Sequence, residues 1–230
     1  MLFRSLDGQP IVPKQLEQGV LILAPGQRAD VLVSETTHEI ALVLDTSADS
    51  IDVAFLIPQG AASDVKVPEN FKLPNNPLTA LGDLVAARHV KIVIEGGAKG
   101  GLKAAKFGDQ DLDLRGLLEH GLAWAFNAIA GVGGPPLFEA KLGETLIIDF
   151  ENKTSFPQAI HIHGHVWQMI ESDGQAIAPS NWMDTAIIPG LSSAKVAFVA
   201  DNPGLWVLQS LVAERVDSGL IGAFSVLASS

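Results

Sequence analysis

Three histidines at every second position, His161-Ile-His163-Gly-His165, form the segment with the clearest capacity for chemistry. If this segment is a strand, alternate side chains share one face, so the imidazoles could approach a single metal ion. Two or three imidazoles on one strand can bind copper or zinc but usually need further ligands for useful affinity. The alternative is inherited strand geometry, with the ring nitrogens satisfied by backbone groups or water, and we favour that interpretation.

Composition excludes several other kinds of site. The chain has no cysteine, which removes disulfides, thiolate zinc sites, iron–sulfur clusters and cysteine nucleophiles. Its 15 basic and 26 acidic residues give a net charge of -11, and an acidic surface repels phosphate backbones, which argues against a nucleic-acid partner. The apolar runs are short and interrupted, so no membrane span is expected.

The pattern of the chain predicts an all-β protein. Short aliphatic runs, separated by Gly, Pro, Asn and Asp, favour a sandwich or barrel of short strands. The predicted strands cover residues 20–24, 30–33, 40–44, 90–94, 145–150, 166–170, 186–188, 195–199 and 223–227. Helix is scarce, and the best candidate runs from Asp113 to His120.

Four prolines mark a linker over residues 58–87, namely Pro58, Pro68, Pro74 and Pro77. The linker separates a front piece, 1–57, from a longer sandwich, 88–230. Four or so strands without a second sheet would expose an apolar face and an unpaired edge. We therefore expect the front piece to be the end of a domain whose beginning lies elsewhere.

Three segments together resemble the multicopper oxidases, the family of laccases and bilirubin oxidases. They are the histidine segment, Trp182-Met-Asp184-Thr185 and Ala200-Asp-Asn-Pro-Gly204-Leu-Trp206. In the front piece, Asp7-Gly8-Gln9-Pro10 and residues 23–33 are similar to the last strands of the family's second cupredoxin domain. The resemblance implies a cupredoxin-like Greek-key β-sandwich over 88–230, preceded by the end of a second cupredoxin domain.

The chain departs from the family pattern where the pattern has metal ligands. The resemblance places the ligands of the mononuclear blue copper on Gln158, Ser210, Arg215 and Leu220, and further cluster histidines on Gln209 and Leu211. Of the cluster histidines in this region, only those at His161 and His163 remain, and His165 is the weaker candidate. We expect Gln158, Ser210, Leu211, Arg215 and Leu220 to lie together in space.

These replacements cannot hold a blue copper ion, which needs two imidazoles, one thiolate and a weak axial ligand. An arginine is a permanent cation, and leucine has no donor atom. Arg215 is expected to be solvated or to pair with a carboxylate at the rim of the old site. Copper remains a candidate cofactor only as a residual or shared site at His161 and His163.

Asp184-Thr185 has two interpretations. Asp184 could be a catalytic acid beside a substrate pocket, or it could orient a strand through hydrogen bonds, and we favour the second.

The sequence thus predicts a non-oxidase binding or scaffolding module of multicopper-oxidase type. The alternative is part of a copper-dependent, laccase-like oxidoreductase that is completed by a missing N-terminal cupredoxin segment or by a second chain. By resemblance the protein is expected in the periplasm or outside the cell, although residues 1–20 lack the apolar core of a signal peptide.

Overall fold

The computed structural model describes residues 1–33, 38–46, 48–60, 71–98 and 101–228. Within these ranges the chain is mostly β-strand, with two short α-helices, and the predicted all-β class is confirmed. No helix in the described ranges is long and apolar enough to cross a membrane.

Five strands form the front piece, in two separate sheets. They are β1 (Leu2–Leu6), β2 (Gln9–Gln15), β3 (Ala29–Leu32), β4 (Ile40–Asp45) and β5 (Ser50–Leu56). The first three pair in the order β2-β1-β3, while β4 and β5 form a sheet of their own. A single 3-10 turn, Glu17–Gly19, lies between β2 and β3.

The remaining elements belong to the cupredoxin-like sandwich, apart from a separate two-stranded hairpin formed by residues 104–107 and 110–113. They are β6 (Arg88–Gly96), β7 (Ala104–Phe107), β8 (Gln110–Asp113), α1 (Leu114–Glu119), β9 (Trp124–Phe126), β10 (Glu139–Lys141), β11 (Thr145–Asn152), β12 (Gln158–Ile162), β13 (Trp167–Ser172), β14 (Gln175–Ala176), β15 (Thr185–Ile188), β16 (Ser192–Val199), β17 (Gly204–Ser210), α2 (Ala213–Asp217) and β18 (Ile221–Leu227). One layer is a five-stranded sheet in the order β10-β18-β17-β12-β15, and the other is a six-stranded sheet in the order β14-β13-β16-β11-β6-β9.

The core lies between these two sheets because their inner faces carry the apolar residues. Phe138 stacks on Phe224 with ring centroids 4.8 Å apart, and Phe150 meets Trp167 edge-on at 6.0 Å. Each fully buried side chain of this size contributes roughly 1.5–3 kcal/mol through loss of water contact. The site strands β12, β15 and β17 are therefore neighbours in a sheet that is anchored on one face by a packed aromatic core.

A tight hairpin turn brings the front piece to the sandwich. Asp7 and Gly8 connect β1 to β2 and both have positive φ, 51° and 74°, the backbone that short hairpin turns require. Asp7 is only 3% exposed because it packs at the start of β15. The turn thus points a carboxylate at the residues beside the histidine segment.

One predicted strand is wrong. Residues 20–24 form no strand, and Val20 and Ile22 are 60% and 81% exposed. The aliphatic run fits strand propensity, but within the described residues it has no ladder partner, and Ala24 instead donates its backbone N–H to the side chain of Gln27. Propensity without a pairing edge therefore did not decide its structure.

Other expected elements are present with small shifts. The helix predicted from Asp113 to His120 is α1, whose N-cap is Asp113 and whose C-cap is His120. In the expected linker, residues 58–60 and 71–87 form no strand or helix, and residues 61–70 lie outside the described residues.

The β4–β5 hairpin is open on both faces. Every residue of β5 is exposed, and β4 is exposed except for the partly buried Ile40. The exposed residues include large apolar side chains, among them Val43, Val53 and Phe55 at 49%, 61% and 49%. This hairpin thus exposes apolar side chains, and its two strands pair with no further strand within the described ranges.

Candidate functional site

His161 and His163 lie side by side where β12 ends. His161 is in β12, paired in register with Thr185 of β15 and Gln209 of β17, and His163 follows the strand. Their ring centroids are 4.6 Å apart and the rings are nearly perpendicular, at 78°. The two imidazoles that the sequence named as candidate ligands thus lie next to each other.

Two side chains hold the Nδ1 atom of His161. It lies 3.1 Å from Oγ1 of Thr185 and 3.3 Å from Oδ1 of Asp184. Thr185 in turn donates its hydroxyl to Oδ1 of Asp184 over 2.8 Å. Thr185 is fully buried, so its hydroxyl is held in place by these two side chains.

The ring of His163 is held less completely. Its Nε2 atom is buried and has no hydrogen-bond partner among the described residues. Burial lowers the pKa of His163, as does the neighbouring His161, whereas a hydrogen bond with Gln209 and the charge of Asp184 act in the opposite direction. A neutral imidazole with an unengaged nitrogen is the form that a metal ion requires.

His165 belongs to the core. Its ring meets those of Phe198, Trp206 and Phe224 at centroid distances of 5.5, 5.6 and 5.6 Å, and its Nδ1 lies 3.1 Å from the carbonyl oxygen of His163. Burial lowers its pKa. This histidine packs as an aromatic residue, away from the ring contact between His161 and His163.

Asp184 is the centre of an ionic network that the sequence did not reveal. Nη2 of Arg28 donates to its Oδ2 over 2.6 Å, and its backbone N–H donates to Oδ2 of Asp7 over 3.2 Å. Burial alone would raise the pKa of Asp184, but hydrogen bonds from His161, Arg28 and Thr185 lower it well below its usual range. Asp184 is therefore a carboxylate whose contacts join Arg28, His161 and Thr185.

Gln27 adds a neutral link between the same two pieces of chain. Its Nε2 donates to Oδ2 of Asp7 and to the backbone oxygen of Thr185, over 3.2 and 3.0 Å. The only sequence signal for these contacts was the Asp7-Gly8 turn and the Pro25-Gly26 turn, which place Asp7, Gln27 and Arg28 at loop tips.

At the positions where the family pattern has blue-copper ligands, a guanidinium contacts two aromatic rings, Trp124 and Phe156, which themselves meet edge-on with centroids 6.1 Å apart. Cζ of Arg215 is 5.2 Å from the ring centroid of Trp124 and 5.5 Å from that of Phe156. Its Nη1 donates to Oε1 of Gln158 over 2.8 Å and to the backbone oxygen of Pro157 over 2.6 Å. Burial lowers the pKa of Arg215, and Glu214 acts in the opposite direction.

This arrangement corrects the expectation for Arg215. Its hydrogen bonds go to an amide and a carbonyl oxygen rather than to a carboxylate, and the side chain is partly buried rather than solvated. The stacking partners Trp124 and Phe156 could not be found from sequence because they lie on different segments of the chain.

Backbone hydrogen bonds bring the other replaced positions to the same region. Ser210 N–H donates to the Leu220 carbonyl over 2.9 Å, and Leu220 N–H donates to the Arg215 carbonyl over 2.8 Å. Gln158, Ser210 and Leu220 are completely buried. Four of the five positions expected to lie together are thus linked directly by hydrogen bonds.

Leu211 and Gln209 lie on the other side of β17 from this group. A Cβ atom on Gly26 would come within 2.4 Å of Cδ1 of Leu211, so Leu211 packs against the front piece. Leu211 N–H nonetheless donates to the Ala159 carbonyl, beside Gln158. Gln209 pairs in register with His161, which places it next to the histidine pair rather than next to Arg215.

The donor atoms decide which metals could fit. Around Arg215, the donor atoms are the amide oxygen of Gln158, the hydroxyl of Ser210 and backbone carbonyls. These donors, beside a permanent cation, do not fit a blue copper ion. At the histidine pair two imidazoles are available, but the described residues contain no group of three His, Asp or Glu side chains arranged to hold a metal ion. The pair can therefore supply two ligands of an incomplete set.

Residues 117–230 match the sequence profile of the multicopper oxidase family. The chain belongs to the multicopper oxidase superfamily. A curated relative, the multicopper oxidase MmcO of Mycobacterium tuberculosis, is 26% identical over 208 residues, which cover 90% of this chain and 38% of that protein.

Solved multicopper oxidases show the same fold. The multi-copper oxidase of Pseudomonas thermotolerans is 25% identical, with a TM-score of 0.74 over 98% of this chain and 49% of that one. The laccase-like multi-copper oxidase CueO of Ochrobactrum sp. is 21% identical, with a TM-score of 0.75 over 98% of this chain and 50% of that one. The chain thus spans about half the length of these solved oxidases.

Proposed function

We propose that this chain is a non-oxidase member of the multicopper oxidase superfamily that works as a binding or scaffolding module, in the periplasm or outside the cell. The observation that supports this most strongly is the Arg215 guanidinium, bonded to Gln158 and stacked on Trp124 and Phe156. The family pattern puts the electron-accepting blue copper at these positions. Without that ion, an oxidase has no entry point for electrons from its substrate.

Electrostatics opposes metal binding at this group. A divalent ion roughly 4 Å from the guanidinium would be repelled by several kcal/mol at the effective dielectric of a protein surface. Ser210 and Gln158 offer only neutral oxygen or nitrogen atoms, which do not replace a thiolate. Arg215 would have to leave its two aromatic neighbours before an ion could enter.

Copper titration with a matched restored variant tests the proposal. In the quadruple variant Gln158→His, Ser210→Cys, Arg215→His and Leu220→Met, the donor set of a blue site is complete, so this variant is the positive control. The wild-type chain has no cysteine and can give no thiolate-to-copper band, so for that chain the deciding readout is the spin-resonance signal of bound Cu²⁺. We expect no Cu²⁺ to bind at the Arg215 side chain, and a Cu²⁺ signal of the wild-type chain that is lost in Gln158→Ala would defeat the proposal.

The β4–β5 hairpin is the proposed binding surface. Its strands expose apolar side chains on both faces and have an edge without a partner strand in the described part of the chain, which favours the addition of further strands. Because solved relatives continue for about the same length again, the proposed partner is an N-terminal cupredoxin segment, on this chain or on a second one. Sedimentation and hydrogen exchange test this: a monomer whose hairpin amides are as protected as those of the sandwich would remove the basis for it.

A second candidate function is favoured by the unengaged Nε2 of His163. In this alternative the chain is part of a copper-dependent, laccase-like oxidoreductase and contributes His161 and His163 to a metal site that another polypeptide completes. Zinc or copper should then bind weakly to this chain alone and lose affinity in His161→Ala and in His163→Ala. The exposed His120 provides the control, since His120→Ala should leave affinity unchanged. Equal binding by all variants would reject this candidate.

A further inference from the structure

The front piece reaches the histidine pair through a continuous chain of polar contacts. Arg28 lies 2.6 Å from Asp184, Asp184 lies 3.3 Å from His161, and the His161 ring contacts that of His163. Asp7, in the β1–β2 turn, holds the backbones of both Arg28 and Asp184. Its carboxylate accepts a hydrogen bond from the backbone N–H of Arg28 over 3.1 Å and one from the backbone N–H of Asp184 over 3.2 Å. The conformation of the front piece is therefore linked to one imidazole of the pair.

The directions of these hydrogen bonds determine which ring nitrogen of His161 carries the proton. Thr185 has one hydroxyl proton, and it is donated to Oδ1 of Asp184. The oxygen of Thr185 can therefore only accept from Nδ1 of His161, and the Asp184 carboxylate can also only accept. Both partners require a proton on Nδ1, so in the neutral ring Nε2 carries the lone pair.

We propose that Asp184, held by Arg28 and Asp7 of the front piece, is a positioning residue that keeps His161 in the Nδ1–H tautomer with Nε2 as the free acceptor. A ring held in this way offers the same nitrogen that a ligand or metal ion would use, since an imidazole whose other N–H is engaged by a carboxylate is fixed in tautomer and orientation. The inference goes beyond the proposed function, because it assigns the front piece a role at the histidine pair whether or not that pair binds a metal.

A purely structural role for the network makes a different prediction. If Asp184 only joined two pieces of chain, its removal would lower stability without changing the proton position on His161. The hydrogen-bond arrangement instead predicts that the ring proton of His161 changes from one nitrogen to the other when Asp184 is removed. Without Asp184, the hydroxyl of Thr185 is free to donate to Nδ1, which would move the ring proton to Nε2.

Long-range ¹⁵N–¹H correlation spectra of the imidazole rings measure this directly. They are recorded on the full chain at a pH where His161 is neutral. In the wild-type chain we expect Nδ1 of His161 to resonate as protonated and Nε2 as unprotonated. In Asp184→Ala the two assignments should exchange, and in Thr185→Val they should stay as in wild type because the carboxylate remains.

Arg28 provides the test of the front piece itself. Its side chain is 57% exposed, so Arg28→Gln should fold normally. In Arg28→Gln we expect the ¹⁵N chemical shifts of both His161 ring nitrogens to lie between those of wild type and those of Asp184→Ala. In Arg28→Lys these shifts should move part of the way back to the wild-type values. Arg88→Gln, which breaks the separate Arg88–Glu144 ion pair, is the matched control and should leave His161 unchanged.

The inference is overturned if the wild-type His161 carries its proton on Nε2, a result that needs no variant. It is also overturned if Asp184→Ala folds and keeps the wild-type ring pattern, or if Arg28→Gln has no more effect than Arg88→Gln. Zinc titration of the same proteins separates this inference from the second candidate function. If zinc binds, Arg28→Gln should weaken it about 10-fold; if zinc does not bind wild type, that candidate fails while the ring spectra still decide the tautomer.

Discussion

Nη1 of Arg215 donates to Oε1 of Gln158 across 2.8 Å, at two positions where the multicopper oxidase pattern has histidine ligands. Gln158 is completely buried and also donates its Nε2 to Oγ1 of Thr154 over 3.2 Å. A buried amide is costly unless both its ends are bonded. The arginine thus satisfies the acceptor oxygen of this buried amide, and it links the start of β12 to α2.

Replacing Arg215 should therefore destabilise the sandwich. In Arg215→Met the two ring contacts lose their cation and Gln158 loses its donor, so the free energy of unfolding should fall by about 2–3 kcal/mol. Urea unfolding monitored by tryptophan fluorescence measures the change. Arg115→Met is the control because Arg115 forms only an exposed ion pair with Glu119, worth less than about 0.5 kcal/mol. Equal effects of the two variants would contradict the structural role of Arg215.

Gly219 should be intolerant of a side chain. It has φ of 111°, and a Cβ atom there would lie 2.6 Å from the backbone oxygen of Trp124. Gly121, with φ of 73° and no atom within 4 Å of its Cβ position, is the matched control. Both alanine variants bear backbone strain, but only Gly219→Ala adds a clash with backbone, so it should be less stable than Gly121→Ala by about 1–3 kcal/mol. Thermal unfolding of the two variants decides this, and equal melting temperatures would contradict it.

The Arg88–Glu144 ion pair predicts a pH dependence. The hydrogen bond from Arg88 lowers the pKa of Glu144 below its usual 4.5, although burial acts in the opposite direction. Because the folded pKa is the lower one, the pair's contribution is fully present above pH 4.5 and is lost as pH falls through the folded value. Since Arg88 is 44% exposed, the effect should be under about 1 kcal/mol.

The measurement for this pair is the difference in unfolding free energy between wild type and Glu144→Gln at pH 7 and at pH 3. The difference should shrink at pH 3, because the wild-type carboxyl is then increasingly protonated. Asp109→Asn, at an exposed position, should give the same small difference at both values. A wild-type advantage that grows as pH falls would contradict the assignment.

The β4–β5 hairpin should promote self-association through its exposed apolar side chains but should not be needed for folding of the sandwich. Val53 and Phe55 are two residues apart on β5 and are 61% and 49% exposed, so Val53→Lys with Phe55→Lys should leave the melting temperature of the sandwich within a few degrees of wild type. The same change should reduce self-association and the binding of an apolar dye. Leu205→Lys, at a 74% exposed site on β17, is the control and should reduce neither.

Sequence patterns predicted the sandwich well because its strands are buried between two sheets, where alternation and aliphatic content reflect packing. The strand pattern placed three histidines on one face, but β12 ends at Ile162, and His165 packs among aromatic rings while His161 and His163 lie next to each other. Residues 20–24 were misassigned because propensity says nothing about whether a pairing edge exists.

The two polar networks were harder to predict because each joins residues far apart in sequence. Arg28 and Asp184 are separated by 156 positions, and Arg215 and Gln158 by 57. No local pattern distinguishes these arginines from solvated ones. The family pattern indicated where Arg215 would lie, but only the three-dimensional arrangement shows that its partners are an amide and two rings.

We propose that the Arg215 guanidinium excludes a metal ion from the positions where the family pattern has blue-copper ligands. Anomalous scattering at the copper edge, from crystals of the wild-type chain grown with excess Cu²⁺, tests it most directly. We expect no anomalous peak between Gln158 and Ser210, and we expect the Arg215 side chain in density over Trp124. A strong copper peak at that position, with Arg215 displaced, would contradict it.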